Sequence, residues 1–368
     1  MKKIATLTID SLNYGAVLQT FALNHYLRLQ GYDNKVIKYI YSNGYDDRTT
    51  FQKFRSVIWR KYFRPFIQDT KRIEKTELFK RKITFTQIFQ TRESLSKIAS
   101  EFDTYIVGSD QVWNPRFVGE DKNWFLDFTS KKKIAYAASF GLSVLPQQYM
   151  AKYKEQIKKL DAISVREESA AKLIQDMGLS MPQVVLDPVF LLSKEQWLKL
   201  AVKPKQQKYI LCYYMPGFAP VEKKIKTLAK FYAKKYNYPI LNIGKKEYSR
   251  FFFWENNLLG IGPAEFLGLI ANAEMIITNS FHGTAFSVLF DKKFISVINT
   301  ALGKKDLSSR IVDLLKGIGH TSSLLDVSKP EENSLLISHL SEDSKENLEH
   351  NISKSKQFLV DQLGGPNE

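Results

Sequence analysis

The sequence predicts an α/β protein in which two Rossmann-like domains face each other across a cleft. Strand-like apolar runs alternate with helical patterns along the chain, which is typical of parallel sheets built from strand–helix units. The alternation restarts near residue 206, and 368 residues exceed the roughly 250–300 at which one core usually stops growing. We therefore predict an N-terminal domain over 1–205, a C-terminal domain over 206–328 and a helical tail over 329–368.

The N-terminal domain is predicted from its apolar runs and their period. The predicted strands cover residues 4–9, 34–39, 104–107, 133–138 and 162–165, and the predicted helices cover 16–29 and 167–177. Gly178 directly follows the second helix, where glycine is the expected C-terminal stop.

The C-terminal domain repeats this pattern, and a more acidic polar segment follows it. Its predicted strands cover 208–213, 239–243, 275–278 and 294–298, and its helices cover 220–235, 263–273 and 283–290. The tail either packs back across both domains or forms a charged terminal helix. Because open parallel sheets bind ligands at the carboxyl ends of their strands, we place the active site in the cleft.

The formal net charge of +16 calls for an anionic partner: nucleic acid, an anionic membrane surface or anionic small molecules. No nucleic-acid motif accompanies the charge, so we predict no nucleic-acid partner. Two basic stretches, 53–64 and 71–82, interleave cations with aromatic residues, which suits an anionic membrane interface. The alternative is a solvated helix with one face in the core.

The single cysteine, Cys212, lies in an apolar strand pattern. It has no partner for an internal disulfide, and an apolar site keeps a thiol protonated and unreactive. No segment reaches the roughly 20 apolar residues of a membrane span. We predict a cytoplasmic protein with peripheral contact to the inner face of the plasma membrane.

Two loops of the N-terminal domain carry small polar and aromatic groups at predicted strand ends. The first contains Asp10, Asn13 and Tyr14 before a helix, and such a loop either binds an anion or hydroxyl or simply caps the helix. The second offers the Asp110 carboxylate and the flat face of Trp113, which can stack on a sugar ring. The alternative for Trp113 is a place in the core.

Two further loops carry cationic or titratable groups. Arg166 stands between a strand and a helix start, and an arginine fork matches carboxylate and phosphate geometry. The alternative for Arg166 is an ion pair with Glu167 or Asp187. His282 lies at another strand–helix junction, where it can bind phosphate or transfer a proton, unless it only caps the helix.

These loops closely resemble the polysaccharide pyruvyl transferase family in order and spacing, from the first strand to about residue 315. The matching segments are 13–19 (Asn-Tyr-Gly-Ala-Val-Leu-Gln), 107–114 (Val-Gly-Ser-Asp-Gln-Val-Trp-Asn), 163–167 (Ile-Ser-Val-Arg-Glu), 186–188 (Leu-Asp-Pro) and 278–284 (Thr-Asn-Ser-Phe-His-Gly-Thr). The resemblance implies a two-domain architecture similar to GT-B glycosyltransferases, phosphoenolpyruvate as donor, and no metal or other cofactor. The family's arginine and histidine map onto Arg166 and His282.

This sequence departs from the family pattern at Phe281, where several members carry an arginine after the motif serine. A cation must then come from elsewhere, and Lys304, Lys305 and Arg310 are the candidates.

The resemblance implies transfer of the enolpyruvyl group to a sugar of a bacterial cell-surface glycan, such as a capsule or exopolysaccharide, or of its lipid-linked precursor, as a pyruvate ketal. The predicted catalytic residues are Arg166, His282 and Asp110. The predicted donor site consists of Arg166, Ser280, His282, Gly283 and Arg310, and the predicted acceptor site of Asp10, Asn13, Tyr14, Trp113 and Asn114. Asp110 or Asp187 would serve the acceptor hydroxyl. The alternatives are a nucleotide-sugar glycosyltransferase of the GT-B type and a basic module without enzymatic activity.

Overall fold

The computed structural model describes residues 1–40, 69–215, 217, 219–243, 257–301, 308–329 and 337–365. Its strands are β1 (Lys3–Leu7), β2 (Asp33–Tyr39), β3 (Phe85–Phe89), β4 (Thr104–Val107), β5 (Lys132–Ala138), β6 (Ala162–Val165), β7 (Gln183–Val184), β8 (Ile210–Tyr213), β9 (Ile240–Ile243), β10 (Asn257–Leu258), β11 (Met275–Thr278), β12 (Phe294–Ile298) and β13 (Leu324–Asp326).

Helices alternate with these strands, as the sequence predicted. They are α1 (Tyr14–Leu29), α2 (Thr70–Lys80), α3 (Arg92–Ser96), α4 (Pro115–Val118), α5 (Gln147–Ile157), α6 (Glu168–Asp176), α7 (Lys194–Leu198), α8 (Ala219–Tyr236), α9 (Pro263–Asn272), α10 (Phe281–Leu289), α11 (Ser309–Gly317) and α12 (Glu342–Leu363). Short 3₁₀ helices lie at Lys122–Phe125, Pro188–Leu191 and Thr321–Ser323.

The strands form two parallel sheets, one in each half of the chain. The first has the order β3-β2-β1-β4-β5-β6-β7, and the second has the order β10-β9-β8-β11-β12-β13. In both sheets the strand order reverses beside the first strand of the unit, between β1 and β4 and between β8 and β11. Such reversal points are where open parallel sheets bind ligands. The loops before α1 and α10 both lie there.

The two halves share one continuous apolar core. Helix α1 is buried on almost every face, as expected for a helix enclosed by other elements rather than lying at the surface. Its Phe21 packs on Trp197 with ring centroids 5.7 Å apart, and Trp197 in turn packs on Phe286 of α10 at 5.2 Å. The base of the cleft is therefore packed apolar surface.

Polar contacts also join the two halves beside the cleft. Lys75 of α2 forms an ion pair with Glu265 of α9, with a nitrogen–oxygen distance of 2.6 Å. The backbone N–H of Gly260 donates to Asp69 at 2.7 Å. Because α2 belongs to the first half and α9 to the second, these contacts hold the two halves together on one side of the cleft.

The tail packs back across both halves. In α12, the Ser355 hydroxyl accepts a hydrogen bond from the Leu186 N–H at 2.8 Å, and the Asn351 amide donates to the Gly317 carbonyl at 3.0 Å. Near its end, the Leu363 carbonyl accepts from the Lys2 ammonium at 2.6 Å. Of the two arrangements that the sequence left open, the structure has the one that ties the tail to both domains.

Cys212 lies in a strand and is shielded from solvent, as the sequence predicted. Cys212 is fully buried in β8, and burial raises the pKa of its thiol to about 12, so the thiol stays protonated at neutral pH. The basic stretch 53–64 lies outside the described residues, whereas much of 71–82 forms α2. Across the described segments, no helix is both long and apolar enough to cross a membrane.

Candidate active site at the domain junction

Arg166 lies at the centre of a buried cluster of charges. It follows β6 directly, and 1% of its side chain is exposed. Its Nη1 donates to Asp187 Oδ2 at 2.7 Å, its Nη2 lies 3.4 Å from Asp110 Oδ1, and its Nε lies 3.7 Å from Glu167 Oε2. Burial disfavours the charged guanidinium, but the three carboxylates outweigh it and raise the pKa of Arg166. Arg166 therefore forms the ion pair with Asp187 that the sequence left open as an alternative to anion binding.

Asp187 links this cluster to the second domain. It caps the 3₁₀ helix Pro188–Leu191, so that one carboxylate oxygen accepts from the Val189 N–H at 3.1 Å. The other oxygen, besides its bond to Arg166, lies 3.6 Å from His282 Nε2. Burial alone would raise the pKa of Asp187, but His282 and Arg166 hold it well below its usual range. Asp187 is thus a fixed negative charge between Arg166 and His282.

His282 reaches the cluster from the first turn of α10 in the C-terminal domain. It is 7% exposed, and its Nε2 has no hydrogen-bond partner within the described residues. Its other ring nitrogen packs on α1, because a Cβ built on Gly15 would lie only 2.0 Å from Nδ1. Any side chain at Gly15 would therefore displace the His282 ring, so this position requires glycine.

Arg310 brings a second guanidinium to the same place. It lies in the first turn of α11, 9% exposed, and its Nε has no hydrogen-bond partner in the described chain. Arg166 and Arg310 both pack on the ring of Phe281, at 4.7 and 5.7 Å from its centroid. Burial and the nearby Arg166 lower the pKa of Arg310 to about 10, so its positive charge is not fully compensated. Both arginines therefore pack on Phe281, the residue at which this sequence departs from the family pattern.

The other predicted donor residues serve the start of α10. Ser280 is its N-cap, and the hydroxyl accepts from the Gly283 N–H at 3.4 Å. A Cβ on Gly283 would lie 2.5 Å from the Thr278 hydroxyl, so glycine lets the helix pack closely on the sheet. Lys304 and Lys305 lie outside the described residues.

The prediction that Trp113 stacks on an acceptor sugar is wrong. Its ring is fully buried, stacks on Phe125 with centroids 5.8 Å apart, and packs on Phe140. Its indole N–H donates to the carbonyl of Trp124 at 3.1 Å. Trp113 belongs to the core, which was the alternative that the sequence allowed.

The remaining predicted acceptor residues make structural contacts. Asn13 and Asn114 cap α1 and α4 through their side chains. Asp10 forms an ion pair with Lys80 at 2.5 Å. The Tyr14 ring is 3% exposed, because it stacks on Phe266 of the second domain at 4.7 Å. The loop with Asp10, Asn13 and Tyr14 therefore positions α1 and the domain junction, and little of its surface is left to contact a sugar.

Sequence reasoning did not select Glu167 and Ser139 as site residues. Glu167 is fully buried, and its carboxylate accepts a hydrogen bond from the Ser139 hydroxyl at 2.6 Å. Burial raises the pKa of Glu167, while Arg166 and Ser139 oppose that shift. The feature of the sequence that could have identified Ser139 is its position directly after a strand end, which is also where the four selected loops lie.

A cavity of about 350 Å³ adjoins the cluster. It lies between the ends of β6 and β7, helix α11 and helix α12, and Arg166, Asp187 and Phe281 form one wall. The rest of the lining is polar and apolar, and its polar or small residues are Glu168, Asp313, Lys316, Gly317, Asn351 and Lys354. Among the residues described, no His, Cys, Asp and Glu side chains are grouped in threes so as to hold a metal ion.

Comparisons with known proteins agree with this fold. The structure is similar to HepE of Anabaena, solved in complex with UDP-glucose, with a TM-score of 0.53 and 10% identity over 99% of both chains. It is also similar to a putative UDP-N-acetylglucosamine 2-epimerase of Listeria monocytogenes, with a TM-score of 0.50 and 12% identity over 98% of this chain and 88% of that one. The predicted GT-B-like architecture is thus confirmed.

No curated protein matches this sequence. The polysaccharide pyruvyl transferase family matches residues 13–300, a range that contains Gly15, Asp110, Arg166, Asp187 and His282. The chain therefore belongs to the polysaccharide pyruvyl transferase family.

Proposed function

We propose that this protein transfers the enolpyruvyl group of phosphoenolpyruvate to a sugar of a cell-surface glycan or its lipid-linked precursor, forming a pyruvate ketal. The proposal rests on Arg310, a buried arginine whose Nε has no hydrogen-bond partner among the described residues and which packs on the same ring as Arg166, next to His282. A buried, uncompensated guanidinium is costly unless an anion joins it. Phosphoenolpyruvate carries both a carboxylate and a phosphate.

In this proposal the donor binds between the two guanidinium groups and the start of α10. Arg310 supplies a charge that the three carboxylates around Arg166 offset only in part, and Arg166 is held in place by Asp187. The free backbone N–H groups at the N-terminus of α10 add partial positive charge directed at an anion. An entering dianion would also relieve the repulsion between the two arginines.

The reaction needs an acid and a base. A proton delivered to the methylene carbon of phosphoenolpyruvate leaves an oxocarbenium-like centre at C2, which a sugar hydroxyl attacks while losing its proton. Inorganic phosphate then leaves, and a neighbouring hydroxyl attacks the same carbon and loses its proton to the departing phosphate, which closes the cyclic ketal. We assign His282 to the phosphate or to the proton delivery, because its buried Nε2 makes no hydrogen bond within the described residues and lies 3.6 Å from the Asp187 carboxylate. Positioned groups of this kind contribute about 10²–10⁴-fold each.

Among the three carboxylates around Arg166, Asp110 is our candidate for the base that receives the hydroxyl proton. Its side chain is 16% exposed, whereas those of Glu167 and Asp187 are 1% and 0% exposed. A base must reach the proton that it accepts. Asp187, which touches both Arg166 and His282, is better placed to orient them.

We place the acceptor sugar in the cavity beside the cluster. Its 350 Å³ falls in the range of small-molecule sites, and Arg166, Asp187 and Phe281 of the charge cluster form one wall of it. Asp110 does not line the cavity, so in this proposal the acceptor hydroxyl extends past Arg166 to reach that carboxylate. The two loops that contain Tyr14 and Trp113 offer no comparable surface, since both rings are covered.

Phosphoenolpyruvate without acceptor is expected to raise the melting temperature. A ligand that binds only the folded state stabilises it by about 2.7 kcal/mol at 100 times its dissociation constant, which a thermal-shift assay detects. The shift should be smaller in Arg310→Ala, because that variant lacks one of the two guanidinium groups of the proposed donor site. Ionic strength is held fixed, since a chain of net charge +16 attracts polyanions loosely.

UDP, GDP and CMP provide the comparison, because HepE was solved with UDP-glucose and glycosyltransferases of similar fold use nucleotide sugars. Stabilisation by a nucleotide, with none from phosphoenolpyruvate, would contradict the proposal and favour a nucleotide-sugar glycosyltransferase. The turnover assay is phosphate release from phosphoenolpyruvate with glycosyl lipids and nucleotide sugars as acceptors. We expect that activity to persist in EDTA.

Gly317→Phe is expected to raise the KM for the acceptor at least about tenfold, with little change in the thermal shift caused by phosphoenolpyruvate. Gly317 lines the cavity, and the nearest atom to a Cβ built there is Asn351 Nδ2 at 3.9 Å. A methyl therefore fits, and Gly317→Ala is the matched control, whereas a phenyl group occupies the space given to the sugar. Tenfold corresponds to about 1.4 kcal/mol. An unchanged KM in a folded Gly317→Phe variant would move the acceptor elsewhere.

A further inference from the structure

Helix α8 carries a strongly one-sided charge on the outer surface of the C-terminal domain. Its 18 residues contain a single acidic residue, Glu222, and the following six lysines: Lys223, Lys224, Lys226, Lys230, Lys234 and Lys235. Val221, Ile225 and Ala229 form its buried face and pack on Ile210 and Cys212 of the sheet. The lysines lie on the remaining faces.

The most exposed line of this helix is a basic stripe formed by Lys223, Thr227, Lys230 and Lys234. Their spacing of four, three and four residues places them one above another on an α-helix, and all four are exposed. None of the three lysines has an ion-pair partner in the described parts of the chain. Lys230 and Lys234 are four residues apart, and like charges at that spacing repel on a helix. The stripe is therefore unfavourable in the free protein and is relieved by an external polyanion.

Aromatic rings border the stripe near the C-terminal end of the helix. Phe231 is 58% exposed and Tyr236 is 45% exposed. Phe231 packs edge-on against Tyr232, which in turn stacks on Tyr236 at 6.0 Å. The packing holds Phe231 outward beside Lys230 and Lys234. An apolar ring held in water next to cations is typical of helices that lie in a membrane interface.

The stripe faces away from the cleft. Alternate residues of β8 point to opposite sides of the sheet: Ile210 and Cys212 pack under α8, whereas Leu211 and Tyr213 belong to the core shared with the first domain. Helices α9 and α10, which form the domain junction, therefore lie on the other face. A surface bound to α8 would leave the proposed active site unobstructed.

We propose that α8 docks the protein on an anionic lipid bilayer. Lipid phosphates neutralise the basic stripe, while Phe231 and Tyr236 enter the headgroup region. Single-stranded nucleic acid also pairs cations with aromatic rings, but proteins hold it in grooves, and this stripe lies on a convex helix. A bilayer presents the flat surface that a helix about 27 Å long can contact along its length. The proposal is independent of the donor and acceptor assignments.

The test is vesicle co-sedimentation of the full chain. Vesicles of phosphatidylcholine alone are compared with vesicles that also contain phosphatidylglycerol, at low and high salt. We expect binding to the anionic vesicles only, weakened by salt because surface charges are screened. The triple variant Lys223→Glu, Lys230→Glu and Lys234→Glu should lose at least tenfold in partition coefficient, since each lysine near such a surface is worth about fivefold. Phe231→Ser should weaken the binding that remains at high salt.

The matched control is Lys131→Glu, Lys158→Glu and Lys172→Glu, which gives the same net charge through exposed lysines of the other domain. The control should keep most of the vesicle binding, and melting curves establish that both triple variants are folded. Equal losses in the two variants, or equal binding to neutral vesicles, would overturn the proposal. So would an α8 variant that binds vesicles normally but has lost binding to a single-stranded RNA.

Discussion

His282→Ala is expected to lower turnover at least about 100-fold while the protein stays folded. That loss corresponds to about 2.7 kcal/mol of barrier, the low end for removal of a positioned catalytic group. The fold should tolerate the change, because the buried Nε2 makes no hydrogen bond within the described structure. Phosphate release measures turnover, and His350→Ala is the control, since His350 is exposed on α12. A folded variant with a near-normal rate would remove His282 from the mechanism.

Gly15 gives an independent test of the same histidine. Gly15→Ala places a Cβ 2.0 Å from His282 Nδ1, so the imidazole must move from its position beside Asp187. Turnover should fall in an otherwise unchanged chain, but the same substitution should cost little more in the His282→Ala background. A double-mutant cycle measures this coupling. Additive losses would show that Gly15 acts through something other than the histidine.

The sequence predicted the elements that place these residues because their signals are local. Strands β4, β6 and β11 have the bounds that their short apolar runs predicted. Strands β3, β7, β10 and β13 were not predicted. They lie toward the sheet edges, and β3 exposes Gln87 and Ile88 there, so it lacks a buried apolar pattern. Arg166 and His282 were selected because both follow strand ends, where parallel sheets bind ligands.

What the sequence could not provide was which side chains become covered. Trp113 and Tyr14 lie in family motifs beside polar residues, yet their rings pack on Phe125 and Phe266, which lie outside those motifs. The same limit applies to Arg166, whose partners Asp110 and Asp187 come from two other loops. Phe281 illustrates the converse: its departure from the family pattern indicated a missing cation, and Arg310 lies against its ring.

The pairing of Arg166 changes what its replacement should do. An arginine that only faced the cleft could be replaced by alanine without loss of stability. In the structure its removal leaves Asp187 fully buried without its closest cation, and breaking such a pair typically costs about 3–5 kcal/mol. Arg166→Ala should therefore lose both stability and turnover. Urea unfolding measures the first loss.

Arg166→Lys separates the two effects. Lysine keeps the positive charge beside Asp187 and should retain most of the stability, but a single ammonium cannot bind Asp187 and also present a planar fork to the donor. We expect turnover to fall at least about 100-fold, equivalent to about 2.7 kcal/mol, with a much smaller change in unfolding free energy than in Arg166→Ala. Arg116→Lys, outside the charge cluster, is the control. Near-normal turnover in a folded Arg166→Lys variant would mean that Arg166 serves the fold as a counter-ion for Asp187, and that Arg310 alone holds the donor.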